Sequence, residues 1–143
     1  MKEFDLNFHH LGLATDNYNL TLKILKKLSY KVKSVKVHKY YNVKNALCVS
    51  KTMPSIEIVS KSKKSKSPID KIIKKNKQLV YHICYITKDF SKARKKLEKN
   101  KIHVMKISDS YLSPFEGIMS SFFFIKGLGI VEIMDERQKK RNK

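Results

Sequence analysis

No stretch of this chain approaches the roughly 20 consecutive apolar residues that a bilayer-spanning helix needs, although 41% of its 143 residues are hydrophobic. The opening residues, MKEFDLNFHH, carry no long apolar segment of the secretory kind, so a cytoplasmic protein away from membranes is the expectation. Cysteine is scarce. Cys48 and Cys84 each sit inside an apolar run; one pair is no disulfide framework, and both are expected as inert core thiols. Arginine is scarcer still for so basic a chain: only Arg94, Arg137 and Arg141 stand among 32 basic residues, against 12 acids and a net charge of +20. Nucleic-acid readers favour arginine's planar fork and interleave aromatics for stacking. Here lysines are dispersed, concentrated only in KSKKSKS at 61–67 and RQKKRNK at 137–143. The charge is therefore a matter of solubility and long-range steering, and no nucleic-acid partner is expected.

What is present is short apolar runs with two periodicities. Residues 7–15 alternate as a strand, with Phe8 and His10 on one face and Leu11 and Leu13 on the other. Asp16 or Asn17 can cap the helix that follows, whose stripe is expected at Leu20, Ile24 and Leu28. Strands are predicted at 31–40, 43–50 and 55–60, the first wet on one side because Val32, Val35 and Val37 alternate with lysines. A Lys/Ser-rich connector, 61–78, contains a short helix begun near Pro68, with Ile69, Ile72 and Ile73 as its apolar side. The plan then repeats: a strand at 79–87, a helix from Asp89 to Asn100 burying Phe90, Ala93 and Leu97, and strands at 102–107, 120–126 and 130–135. Each half reads β-α-β-β-β. The expectation is one domain over 1–143, with module one at 7–60, module two at 79–135 and a basic tail at 136–143 whose last residues, 139–143, are disordered.

The repetition extends to chemistry. FHHLGLAT (8–15) and YHICYIT (81–87) align on His10 and His82, 72 positions apart; each closes in a threonine, Thr15 or Thr87, with an acid close behind. Near the end of each half an acid sits inside an apolar strand: Glu57 in SIEIVS and Glu132 in GIVEIMD, 75 positions apart. In the first, Ile56 and Ile58 face away from Glu57; in the second, Val131 and Ile133 face away from Glu132. A carboxylate among apolar strand residues is costly to bury unless paired or metal-bound. Two at equivalent places, beside two equivalent histidines, point to a common cause. A pseudo-twofold arrangement of the halves would gather His10, Glu57, His82 and Glu132. Two imidazoles and two carboxylates suit one divalent ion such as Co, Ni, Zn, Mn or Fe, with positions left for substrate. His9, His38 and His103 have no counterpart and are read as ordinary structural histidines.

HHLGLAT, SIEIVS, YHICYIT and GLGIVEIMD resemble the signature strands of the vicinal oxygen chelate superfamily, over residues 7–135 and closest to the methylmalonyl-CoA epimerase-like group. The resemblance implies an α+β fold in which two paired βαβββ modules form a cupped eight-stranded mixed sheet around a metal, usually in a homodimer. It places His10, Glu57, His82 and Glu132 at the four ligand positions. It also implies proton removal next to the carbonyl of an acyl thioester, giving epimerisation or isomerisation, with Glu132 as first candidate base and Glu57 as second. Some epimerases of that group carry a further carboxylate early in the third strand, where this chain has Asn45; Glu116 in SPFEG is a possible substitute, or a solvated loop acid. The alternatives are a glyoxalase I-type lyase, disfavoured by the lack of an arginine in NYNLTLKILKKL, and a non-catalytic binding or resistance protein on the same fold. An extradiol dioxygenase is disfavoured by the second glutamate. A basic rim at Lys61–Lys66 or Lys36–Lys44 would steer a phosphate-bearing thioester.

Overall fold

The structure, a computed structural model, describes residues 4–108, 110–113 and 117–137. Elements follow in the order β1 (Asn7–Thr15), α1 (Tyr18–Lys27), β2 (Lys31–His38), β3 (Val43–Val49), β4 (Ile56–Lys61), α2 (Asp70–Asn76), β5 (Gln78–Thr87), α3 (Phe90–Lys99), β6 (Val104–Lys106), β7 (Tyr111–Leu112), β8 (Met119–Ile125) and β9 (Gly129–Asp135). The fold is α+β with a mixed sheet, and the doubled βαβββ plan is present. The sheet has nine strands rather than the expected eight, because the two-residue β7 adds itself to β8. Glu116 and residues 139–143 lie outside the described residues.

By contact density the chain divides into two units: residues 10–81, and residues from His82 onward together with those up to His9. In the first, the order is β2-β3-β4-β1, with β1 and β4 parallel and the other neighbours antiparallel. α1 covers one face, where Leu25, Tyr30, Ala46, Cys48 and Ile58 are buried with Tyr18, Leu22, Val32 and Ile56 against them. The α1 expectation is corrected here. Leu20, Ile24 and Leu28 point outward, each about half exposed, while Tyr18, Leu22 and Leu25 turn to the sheet. Both ridges are apolar and both fit a helical period, so periodicity alone does not select the buried one. In β2 a bulge between Val32 and Ser34 brings Val32, Val35 and Val37 onto one face despite their uneven spacing.

In the second unit the order is β5-β9-β8-β6, with β5 and β9 parallel. α3 lies on a core of Ala93, Leu97, Phe123, Ile125, Val131 and Ile133, as its spacing predicts, and Leu6 from the start of the chain joins that core. The opposite face buries Cys84, Ile118 and Met134.

The repeated threonines turn strand into helix. Thr15 Oγ1 accepts the Asn17 N–H at 3.1 Å, and Asn17 Oδ1 in turn accepts the Leu20 N–H, capping α1. Thr87 Oγ1 accepts the Asp89 N–H at 3.2 Å, and Asp89 caps α3 through the Lys92 N–H. These hydroxyl and carbonyl or carboxylate oxygens satisfy helix-start donors that have no partner within the helix.

Candidate metal centre

Strand register decides which side chains meet. In the unit spanning 10–81, Gly12 of β1 pairs with Glu57 of β4, so His10, two residues earlier, shares the Glu57 face. In the other unit, Cys84 of β5 pairs with Glu132 of β9, and His82, again two residues earlier, shares the Glu132 face. The outcome is the same in both. His10 Nε2 stands 3.2 Å from Glu57 Oε2, and His82 Nε2 stands 3.3 Å from Glu132 Oε2. All four residues are buried, none more than 5% exposed. The structure thus joins His10 with Glu57 and His82 with Glu132.

Each glutamate turns its two oxygens to different tasks. Glu57 Oε1 accepts a hydrogen bond from Asn45 Nδ2 at 2.8 Å. Glu132 Oε1 accepts from Ser120 Oγ and from the Tyr111 hydroxyl, both at 2.6 Å. With Oε1 held by a neighbour, Oε2 is fixed toward the imidazole. Asn45 and Ser120 occupy matching places: each lies two residues before the cross-strand partner of its glutamate, Leu47 for Glu57 and Phe122 for Glu132. Sequence reasoning missed Ser120 and Tyr111. Adding the glutamate offset of 75 to Asn45 lands on Ser120, so a signal for the first existed; Tyr111, in a strand of two residues, gave none. Tyr111 also stacks on Phe122, whose ring meets His82 edge-on at 5.1 Å.

The donors suit a divalent ion. A buried His⁺–carboxylate contact normally closes to about 2.7–2.9 Å, whereas both pairs stand wider. Two ligand atoms bound at about 2.1 Å in adjacent positions of an octahedral or tetrahedral ion lie about 3.0–3.4 Å apart, and 3.2 and 3.3 Å fall within that interval. The carboxylate neighbours orient the ligands, a recurrent arrangement at metal sites. Of the other histidines, His38 Nδ1 accepts the Tyr41 N–H at 3.4 Å, with burial lowering the His38 pKa, and His103 is exposed. Neither Cys48 nor Cys84 is in a disulfide, both are fully buried, and burial pushes the Cys48 thiol up.

The sequence profile of the Glyoxalase/Bleomycin resistance protein/Dioxygenase superfamily matches residues 9–117. The chain belongs to this superfamily. Solved structures of the same fold include methylmalonyl-CoA epimerase from Mycobacterium tuberculosis, 13% identical, with a TM-score of 0.74 and coverage of 95% of this chain and 91% of that one. Hypothetical protein BH1468 from Bacillus halodurans is 18% identical, with a TM-score of 0.76 over 92% and 94% of the two chains. A Streptomyces coelicolor methylmalonyl-CoA epimerase variant, solved with 2-nitronate-propionyl-CoA, is 17% identical, with a TM-score of 0.66 over 90% and 95%. No curated protein matches the chain in sequence. Among the described residues no helix is long and apolar enough to cross a membrane.

Proposed function

We propose that this protein is a divalent-metal-dependent epimerase or isomerase that removes a proton from the carbon next to the carbonyl of an acyl thioester. The observation that carries this reading is the matched pair of buried His–Glu contacts, His10–Glu57 and His82–Glu132, each with Oε1 held by a strand neighbour. In this reading the four residues form one ligand set around a Co, Ni, Zn, Mn or Fe ion. The ion supplies Lewis acidity toward the substrate carbonyl, where negative charge grows as the proton leaves. Glu132 takes that proton and Glu57 stands as the second carboxylate; moving a proton at a positioned side chain contributes about 10²–10⁴-fold. Methylmalonyl-CoA epimerases among the fold neighbours support an acyl-CoA substrate, and they favour this reading over a glyoxalase I-type lyase or a binding protein without turnover. The proposal includes a cytoplasmic homodimer, checked by sedimentation velocity.

Metal content by mass spectrometry on untagged protein tests the ligand set. About one divalent ion per chain is expected in the parent and none in a His82→Ala, Glu132→Ala double variant; a parent that stays metal-free after incubation with Co, Ni, Mn and Zn would overturn the reading. Turnover is tested by exchange of the α-proton of an acyl-CoA with deuterated solvent. Glu132→Gln is expected to slow that exchange by about 10²–10⁴-fold. A binding protein would exchange nothing.

A further inference from the structure

α3 carries its lysines as a stripe. Phe90, Ala93 and Leu97 turn to the sheet, and Lys92, Lys95, Lys96 and Lys99 fall within about 100° of arc on the opposite side. Side chains three and four apart meet on a helix surface, so Lys92–Lys95, Lys92–Lys96, Lys95–Lys99 and Lys96–Lys99 set like charges side by side, each pair unfavourable to the helix. Lys92 also puts a positive charge in the first turn, where the helix dipole disfavours it. Glu98, the one acid of the helix, stands off the stripe with Arg94 at 2.8 Å. Local conflicts of this kind gather at functional sites. The stripe borders an open groove of about 400 Å³, and Arg137, just past β9, completes its basic lining. The Arg137 guanidinium stands 2.7 Å from Asp89 and 3.6 Å from Asp135, which fix its place. Five cations thus line the groove against a single acid, Asp89, which Arg137 and the Lys92 N–H engage.

We infer that this groove binds a free polyphosphate, an anion of two or more linked phosphate groups, separately from the thioester substrate. Lys92 to Lys99 runs about 10 Å along the helix axis, a length that linked phosphates cover and a single phosphate does not. Ammonium groups meet phosphate as point charges, and Arg137 adds a planar fork of donors at one end. The lining carries no aromatic ring on which a nucleic-acid base could stack and no apolar side chain to enter a lipid headgroup layer. Its position keeps it from the ligand candidates of the same unit. α3 packs on Val131 and Ile133, so the groove lies on the side of the sheet away from Glu132, the face that His82 shares.

Isothermal calorimetry with inorganic tripolyphosphate on the full-length protein tests the inference. One tripolyphosphate per chain is expected, with orthophosphate held at least about tenfold more weakly. A Lys95→Glu, Lys99→Glu double variant is expected to bind tripolyphosphate about 10–100-fold more weakly, the loss that a charged hydrogen bond carries. Both positions are exposed, and circular dichroism confirms that the variant keeps its fold. Lys23→Glu with Lys27→Glu makes the same change of charge on α1 and is expected to stay within about twofold of the parent, since solvent and salt screen charges beyond the groove. Equal weakening by the two double variants would reduce the binding to net charge and overturn the inference, as would a parent that binds no tripolyphosphate. Coenzyme A displacing tripolyphosphate at equal concentration would give the groove to the thioester carrier and overturn it as well.

Discussion

Ser120 and Tyr111 set the direction of Glu132 without being ligand candidates themselves. Two hydroxyl donors at 2.6 Å on Oε1 lock the carboxylate so that Oε2 meets His82. Ser120→Ala is expected to weaken metal affinity about 10–100-fold, as loss of a ligand-orienting hydrogen bond does elsewhere, while leaving the fold in place; competition against a colorimetric chelator measures it. An unchanged affinity would mean that Tyr111 alone suffices. At this scale the sequence was informative where a residue is rare in its setting. A histidine or glutamate inside an apolar strand calls for explanation, and repetition at nearly one offset supplies it. A serine in a strand calls for none, and neither does a tyrosine at the end of a loop, so only the offset of 75 from Asn45 pointed to Ser120 and nothing pointed to Tyr111.

At the scale of elements, the strand-to-helix turns were legible because their signals are local. Thr15 with Asn17 and Thr87 with Asp89 repeat one hydrogen-bonding device. Asn17→Ala and Asp89→Ala are each expected to lower stability by about 1 kcal/mol, read from urea denaturation. The buried side of α1 was not legible, since it depends on which apolar ridge meets Ala46, Cys48 and Ile58 across space. β7 was not legible either, because two residues hold no period. The approach to α2 is fixed differently. The Lys61 ammonium, 2.7 Å from the Asp70 carboxylate, holds that carboxyl below its ordinary range, and the Ser67 N–H adds to the effect. A carboxyl whose folded-state pKa is depressed contributes stability above its unfolded value, near 3.9, and loses it as pH falls through the folded value. In thermal melts, the parent is therefore expected to lose its advantage over Asp70→Asn progressively below about pH 4. A constant difference across that range would show that the pair contributes nothing.

At the scale of the whole molecule, charge is distributed unevenly. Residues 10–81 hold 17 of the 32 basic residues but only three acids, and every one of the three is engaged: Glu57 with Asn45, Asp16 with Gln78 and Lys77, Asp70 with Lys61. Little negative charge is left on that unit to offset its lysines. For an anionic thioester, association is expected to slow steeply as salt rises, since screening shortens the reach of the field to about 8 Å at physiological ionic strength. Stopped-flow association rates across a salt series would show it; a flat series would reduce the lysines to a solubility device. The composition alone had given the sign and size of the charge, but not which unit keeps its acids occupied.

The unlike partners of the two glutamates bear on how firmly each carboxylate is steadied. One amide holds Glu57, and two hydroxyls hold Glu132. Losing a single neighbour is therefore expected to loosen Glu57 more than Glu132.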